Sequence, residues 1–453
     1  MEERKYYPLS DEQEGLVLLA SVFPAPNILY LLTRIDFVSK IDEERLLQAI
    51  RITDELLPYC RVQLHQQDEE TVVQYLREGE PDPVSVYDLS DSGEEELEKL
   101  ILQWRQEPFP NNQRETQLYR FRLIRMPGGK HVLHFVVHHF IMDAYAMMYT
   151  IQYLDKVYTS LSRGEELPAP GMEPWKLLEE ERSYFSSARA EKNAAWWLSQ
   201  YETEPSFTSV NGLGSPEFVE GKRYGRTQSF EQLYNDILTI RIPAEFVKLV
   251  DDAAAMQKVS PQVYYMMAMR SFLGRVSGTE DVSVLSPMAL RSTKVQRQSG
   301  MSIARANPVR MTLSEDLPFA EAVRKLADRE NDIYRHAWFN YEKMKPEIYS
   351  RFGTEPGCTY ESVWLTYQPY FDMSKSELQF RARLLSSGFV PIPLYLLIEP
   401  QDTSGDLYAD YSYALGYTKP ESLYHFHDFM LKFLEAAAKE PDKRLGDLID
   451  QSI

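Results

Sequence analysis

His131-Val-Leu-His134-Phe-Val-Val-His138-His139-Phe-Ile-Met-Asp143-Ala144 is an apolar run that ends in two adjacent histidines, with an aspartate four residues past the second. Ahead of it, Leu118-Tyr-Arg-Phe-Arg-Leu-Ile-Arg125 alternates apolar and polar residues like a half-buried strand, and Pro127-Gly128-Gly129-Lys130 favours a tight turn. The two segments read as a hairpin whose second strand ends at the histidines. Beyond Asp143 the period changes. Met147, Met148, Ile151, Leu154, Val157 and Tyr158 recur at helical spacing, which makes Asp143 a helix N-cap.

The segment admits three readings. In the first, His138 and His139 are strand-end residues satisfied by backbone carbonyls, and Asp143 only caps the helix. In the second, His134 and His138 share one strand face and bind a metal with oxygen from Asp143. No second His, Cys or carboxylate cluster completes such a ligand set, so no metal is expected. In the third, alternation turns adjacent side chains in opposite directions, so one ring faces a cleft as a proton acceptor while the other packs inward. His139 is the candidate for the cleft. An aspartate too far along the chain to bond that ring directly can order the loop by pairing with an arginine from elsewhere.

Composition narrows the classes. The chain is 43% hydrophobic and 12% aromatic over 453 residues, enough for one large or two medium cores. A formal charge of −19 argues against nucleic acid, which calls for a basic stripe. No apolar stretch approaches the eighteen or so residues of a membrane span, and Met1-Glu-Glu-Arg-Lys5 lacks the apolar core of a secretory signal, so a cytoplasmic location is expected. Cys60 and Cys358 are too few for a disulfide scaffold and read as buried small hydrophobes. A Gly-rich phosphate loop, a Gly-x-Ser-x-Gly elbow and Cys-His zinc spacing are all missing, which disfavours an ATP-using ligase or a serine hydrolase.

Helical spacing marks residues 42–57, and 167–174, with three prolines, reads as a linker. A polar helical stretch follows over 175–201, where Trp196-Trp197 is either core or a hinge anchor. The later region suggests one long helix near 244–277, strands around 282–288, 307–313, 362–367 and 393–399, and a final helix at 420–439. That helix has Leu423, Phe426, Phe429, Met430, Phe433 and Leu434 on one side. Two domains are expected, 1–172 and 173–453.

His138-His139-Phe-Ile-Met-Asp143-Ala144 resembles the HHxxxDG motif of nonribosomal peptide synthetase condensation domains. Other segments resemble the family in the same order. Upstream are Pro8-Leu9-Ser10-x-x-Gln13 and Glu107-Pro108-Phe109. Downstream are Ser260-Pro261, which begins an apolar helix that runs to Arg275-Val-Ser-Gly278-Thr-Glu-Asp281, then Ser286-Pro287-Met-Ala-Leu-Arg291-Ser-Thr293, Pro393-Leu-Tyr-Leu, Tyr408-Ala-Asp410-Tyr411 and Tyr417-Thr418. The resemblance implies an α/β fold (an α+β sandwich) of two chloramphenicol-acetyltransferase-like lobes, forming a pseudo-dimer with a central cleft. It places the motif in the N-terminal lobe, and a floor loop and latch in the C-terminal lobe.

It further implies amide-bond formation between acyl or aminoacyl groups held as thioesters on phosphopantetheine arms, as in secondary metabolite biosynthesis. The partners would be donor and acceptor carrier domains. No bound cofactor, metal, nucleic acid or membrane is implied, and a monomer is expected. By carry-over, His139 is the catalytic histidine, as base or positioning group, His138 is mainly structural, and Asp143 orders the loop. Arg291 would pair with Asp143 and so link the N-terminal lobe's loop to the second lobe. Arg114, Arg120, Arg122 and Arg125 are either a local basic patch for an acidic carrier or a solvated strand surface.

Two departures stand out. Ala144 replaces the motif's glycine, and the floor-loop pattern Gly-x-Phe-Val-Asn-Thr then Pro-x-Arg is degenerate in Gly300-Met-Ser-Ile-Ala-Arg305-Ala-Asn307-Pro308-Val-Arg310. With Pro308 and Arg310 aligned, Arg305 rather than Asn307 takes the asparagine position. Two other functions stay open: a free-standing acyltransferase using coenzyme A or a carrier, and a non-catalytic docking domain. His139, Asp143 and Arg291 argue against the last.

Overall fold

A computed structural model describes residues 4–22, 25–227, 234–368, 376–401 and 404–453. The chain forms two compact units, each discontinuous in sequence. The first takes Met1–Ser187, Ala289–Ala304 and Phe371–Gly388; the second takes Ala188–Met288, Arg305–Tyr370 and Phe389–Ile453. The sequence suggested a single break after residue 172. The chain instead returns twice to its first unit, because 289–304 and the strand Phe380–Leu385 find their partners there. Arg291 therefore belongs with Asp143 in the first unit, which corrects its expected place in a second lobe.

The first unit is built on a five-stranded sheet ordered Phe380–Leu385, Tyr30–Phe37, Lys130–His138, Tyr119–Met126 and Ser85–Asp88. Only the last pairing is parallel. The expected hairpin is present, turning at Pro127–Gly129. Its second strand is apolar almost throughout because both its faces are covered. Leu133, Phe135 and Val137 enter a large core with residues of the helices Glu43–Leu56 and Ala144–Arg163, whereas Val132 packs beneath the helix Glu94–Trp104. Burying each such side chain contributes about 1.5–3 kcal/mol, so the strand that carries the histidines is firmly held.

Both helices against that core are capped, the second at Asp143 as the sequence suggests. The Asp42 carboxylate accepts from Arg45 N at 3.0 Å and that of Asp143 accepts from Ala146 N at 2.8 Å. The polar stretch 175–201 is two helices, Trp175–Phe185 and Ala188–Ser199. Trp197 is buried in the second unit and Trp196 stacks on His336 with ring centroids 4.0 Å apart.

The second unit carries a six-stranded sheet ordered Arg305–Thr312, Asp281–Met288, Val363–Tyr367, Leu394–Glu399, Leu407–Ala414 and Asn235–Ile242. Val363–Tyr367 runs parallel to both of its neighbours. The helix expected over 244–277 is broken into Ala244–Gln257 and Pro261–Ser277. Lys258 turns left-handed at φ 61, and Ser260 is extended ahead of Pro261, whose ring disfavours a helical residue before it. The final helix, Pro420–Lys439, buries its apolar side as the sequence predicts. Cys60 and Cys358 are free and buried. Among the described residues no helix is long and apolar enough to cross a membrane.

One glycine fixes how the 289–304 segment sits. Gly300 has φ 61, and a Cβ there would overlap the ring of Tyr59, which is fully buried and bonded through its hydroxyl to Thr150 at 2.9 Å. Left-handed strain and overpacking act together, so Gly300→Ala is expected to destabilise by about 2–5 kcal/mol. Urea unfolding measures this; a loss below about 1 kcal/mol would show that the loop relaxes away from Tyr59.

Candidate active site

The strand Lys130–His138 ends where its backbone turns outward. His139 N donates to Leu29 O at 2.8 Å and Ile141 N to His138 O at 3.1 Å. The turn is fastened from the N-terminal segment. Gln13 Nε2 donates to Phe140 O at 2.8 Å, and the Gln13 and Gln74 amides bond each other at 2.8 and 3.0 Å. The opening motif Pro8–Gln13 thus has a physical role beside the histidines.

The two rings diverge as strand alternation requires. His138 is fully buried, stacked on Phe140 at 4.4 Å and met edge-on by Tyr30 and Phe109. Its Nδ1 accepts from Phe140 N at 3.3 Å, so the ring proton sits on Nε2 and is donated to Gln113 Oε1 at 3.0 Å. Burial, with His139 and Arg114 nearby, holds this imidazole well below the usual histidine range. Gln113 stands in a run with left-handed backbone at Asn111, Asn112, Gln113 and Glu115, with φ between 47 and 66. Such residues each cost about 1–2 kcal/mol, and they lie next to a buried functional ring, where strain tends to collect.

His139 is half-buried and points the other way. Its Nδ1 lies 2.9 Å from Ser302 Oγ, and Nε2 has no hydrogen-bond partner among the described residues. Burial lowers its pKa, against smaller raising effects from the Asp143 carboxylate and the ring's own backbone carbonyl. A neutral imidazole with one nitrogen held and one open can take up a proton.

Asp143 does not touch either ring. Its Oδ1 caps the helix Ala144–Arg163, while Oδ2 accepts from Arg291 Nη2 at 2.6 Å, Ile303 N at 3.0 Å and Ala304 N at 2.9 Å. Arg291 Nη1 and Nη2 also donate to the carbonyls of Gln296 at 2.6 Å, Gly300 at 2.7 Å and Met301 at 2.9 Å. Both side chains are sealed from water, at 1% and 3% exposure, so the pair is buried, and both terminal nitrogens of the guanidinium are bonded while Nε has no partner among the described residues. Ala144 begins the helix with no left-handed backbone, so nothing at this position demands glycine.

Other expected candidates lie elsewhere. His134 is buried between strands with neither ring nitrogen bonded among the described residues, and burial with Arg122 lowers its pKa to about 3. Among those residues no three His, Cys, Asp or Glu side chains could hold a metal. Three arginines of the basic run are paired with carboxylates, whereas Arg114 Nε donates to Gln66 Oε1 at 3.4 Å. Arg120 and Arg122 reach Glu107 at 3.3 and 2.6 Å, and Arg125 reaches Glu43 at 2.7 Å. Arg305 and Asn307 are buried in the second unit, where Asn307 Nδ2 donates to Arg305 O at 3.1 Å and Arg310 pairs with Asp281 at 2.9 Å. Residue-by-residue reading missed Ser302 and Gln113. Ser302 lay inside the degenerate floor-loop segment; Gln113 carried no sequence signal.

Removing one partner of a buried pair leaves the other charge uncompensated. Asp143→Ala and Arg291→Ala are each expected to cost about 3–5 kcal/mol, and the double variant to lose about 1–3 kcal/mol less than their sum. Unfolding measurements on all three variants test this; additive losses would dismiss the pairing as a source of stability.

The condensation-domain family profile matches residues 3–450. A surfactin synthase subunit of Bacillus subtilis (strain 168) is 23% identical over 465 aligned residues, which cover 98% of this chain but 12% of that protein. Among solved structures, the first condensation domain of the CDA synthetase superposes with a TM-score of 0.82 at 19% identity, covering 98% of both chains. The starter condensation domain of rhizomide synthetase, recorded with C8-CoA and Leu-SNAC, gives 0.79 at 18% identity, covering 97% of this chain and 96% of that one. Matched over nearly its whole length and folded like those domains, this chain belongs to the condensation-domain family, whose members form amide bonds in nonribosomal peptide synthesis.

Proposed function

We propose that this condensation domain joins two substrates carried as thioesters on the phosphopantetheine arms of carrier domains, with His139 at the reacting amine. The observation that carries this reading is the His139 ring, engaged through Nδ1 by Ser302 at 2.9 Å and open at Nε2 among the described residues. In the reaction, the acceptor's amine attacks the donor's thioester carbonyl. The C–N bond forms and the C–S bond breaks. Nε2 takes the proton that the amine loses and returns it to the departing thiolate, so charge and atoms balance.

Holding amine and thioester together supplies the remaining advantage, by removing the entropy of their encounter. His138 and the Asp143–Arg291 pair keep the loop in place and take no part at the reacting atoms. The thioesters arrive with the substrates, so this reading calls for no resident cofactor. Its partners are the donor and acceptor carrier domains, met in the cytoplasm by a monomeric chain that needs neither nucleic acid nor membrane.

Acyl-carrier and acyl-CoA donors, each offered with carrier-bound and soluble amines, separate the alternatives by mass spectrometry of the products. Amide formation between two carriers is expected; product only from acyl-CoA and a soluble amine would mark a free-standing acyltransferase instead. His139→Ala should lower turnover by about 10²- to 10⁴-fold with little loss of stability. Undiminished turnover by a folded His139→Ala protein removes the base role. A protonated Nε2 cannot accept, and the ring's pKa is lowered, so kcat/KM should hold down to about pH 6.5 and fall only below it. An acid limb centred above that value contradicts the assignment.

A further inference from the structure

We propose that Ser302 is a positioning residue for His139: its hydroxyl holds Nδ1 and so aims Nε2 at the amine of the acceptor. The inference rests on the condensation reading and goes beyond it by naming what orients the base. Three observations carry it. Ser302 Oγ lies 2.9 Å from Nδ1 and makes no other hydrogen bond among the described residues, so the hydroxyl is committed to this ring. Ser302 is fully buried, so water does not compete for it.

The third observation is rigidity. The two peptide N–H groups that follow Ser302, those of Ile303 and Ala304, both donate to Asp143 Oδ2, at 3.0 and 2.9 Å. On the other side, Met301 is held left-handed at φ 59, and its carbonyl accepts from Arg291 Nη2 at 2.9 Å. The serine is thus clamped from both flanks by one ion pair. Asp143, which reaches neither histidine, acts on His139 through the backbone that presents Ser302.

The choice of a hydroxyl has a chemical consequence. When Nε2 takes the amine's proton the ring becomes an imidazolium, and Nδ1–H then needs an acceptor. A serine oxygen accepts it without the fixed negative charge of a carboxylate, so the ring stays ready to release its proton to the leaving thiolate. The titratable and charged groups around the ring are Asp143, already paired with Arg291, and His138, held neutral by burial. With Arg305 at the asparagine position, Ser302 falls on the variable residue of Gly-x-Phe, so the family pattern does not dictate a hydroxyl there. The arrangement is therefore a feature of this sequence rather than of the motif.

NMR titration of the histidine rings tests this, with His139 assigned from the signal lost in His139→Ala. In Ser302→Ala the imidazolium loses its hydroxyl acceptor and keeps only its own backbone carbonyl, so the His139 pKa should fall by about one unit. With the amide assay, kcat should drop about tenfold while KM changes less than about twofold. Ser302→Thr, which keeps the hydroxyl, should restore both values, and melting temperatures should stay near wild type. Ser302→Cys, close in volume but a poor acceptor, should titrate like Ser302→Ala and serves if alanine disturbs folding. A His139 that titrates as in wild type in both Ser302→Ala and Ser302→Cys overturns the proposal. The titration needs no substrate, so absence of amide product from wild-type protein counts against the condensation reading alone.

Discussion

Four hydrogen bonds converge on the Asp143 carboxylate, and the local order of the site follows from how they are shared. One oxygen starts a helix; the other receives a guanidinium and two peptide N–H groups. A carboxylate this deeply buried is costly unless its oxygens are hydrogen-bonded and its charge is matched. Oδ1 is met locally by Ala146 N, and Oδ2 and the charge by residues 148 to 161 positions further along the chain. The interaction is thus worth more for what it specifies than for its net stability. It fixes a helix start, a loop path and, through that loop, the partner of a histidine ring.

Two adjacent histidines divide the work because a strand end sends them to opposite sides. His138 is surrounded by aromatic rings and a glutamine amide, with both nitrogens used. It can neither accept nor release a proton without breaking a buried bond, which suits a structural role. His139 keeps one nitrogen open and has a neutral hydroxyl rather than a carboxylate on the other. The nearest carboxylate is spent on Arg291, so its influence on the ring is reduced to a modest Coulombic effect against the lowering produced by burial.

Much of this was legible in the sequence because it is local. Alternation exposed the hairpin, the change of period marked the helix start, and Asp143 and the final helix fell where their patterns put them. The helix start at Ser260-Pro261 was legible through the family resemblance, whereas apolar periodicity alone ran on across the break at Lys258. Arg120, Arg122 and Arg125 looked like a basic surface because Glu107 and Glu43, which neutralise them, come from other segments. Ser302 and Gln113 were invisible for the same reason: a hydrogen-bond partner 163 or 25 residues away leaves no periodic trace. The single expected boundary failed because strand pairing, rather than the proline-rich stretch, decides which residues share a core.

The discontinuity of the first unit bears on how the protein is made. The guanidinium that neutralises Asp143 lies 148 residues downstream, and at ribosomal speeds of roughly 5–20 residues per second it emerges about 7–30 s later. The edge strand Phe380–Leu385 is later still. For that interval the nascent N-terminal segment carries an uncompensated acid beside its histidines and an open sheet edge on Tyr30–Phe37, the kind of edge that templates aggregation. A cut after residue 187, chosen for exchanging pieces between synthetases, would make that transient condition permanent, because both missing segments would go with the other fragment.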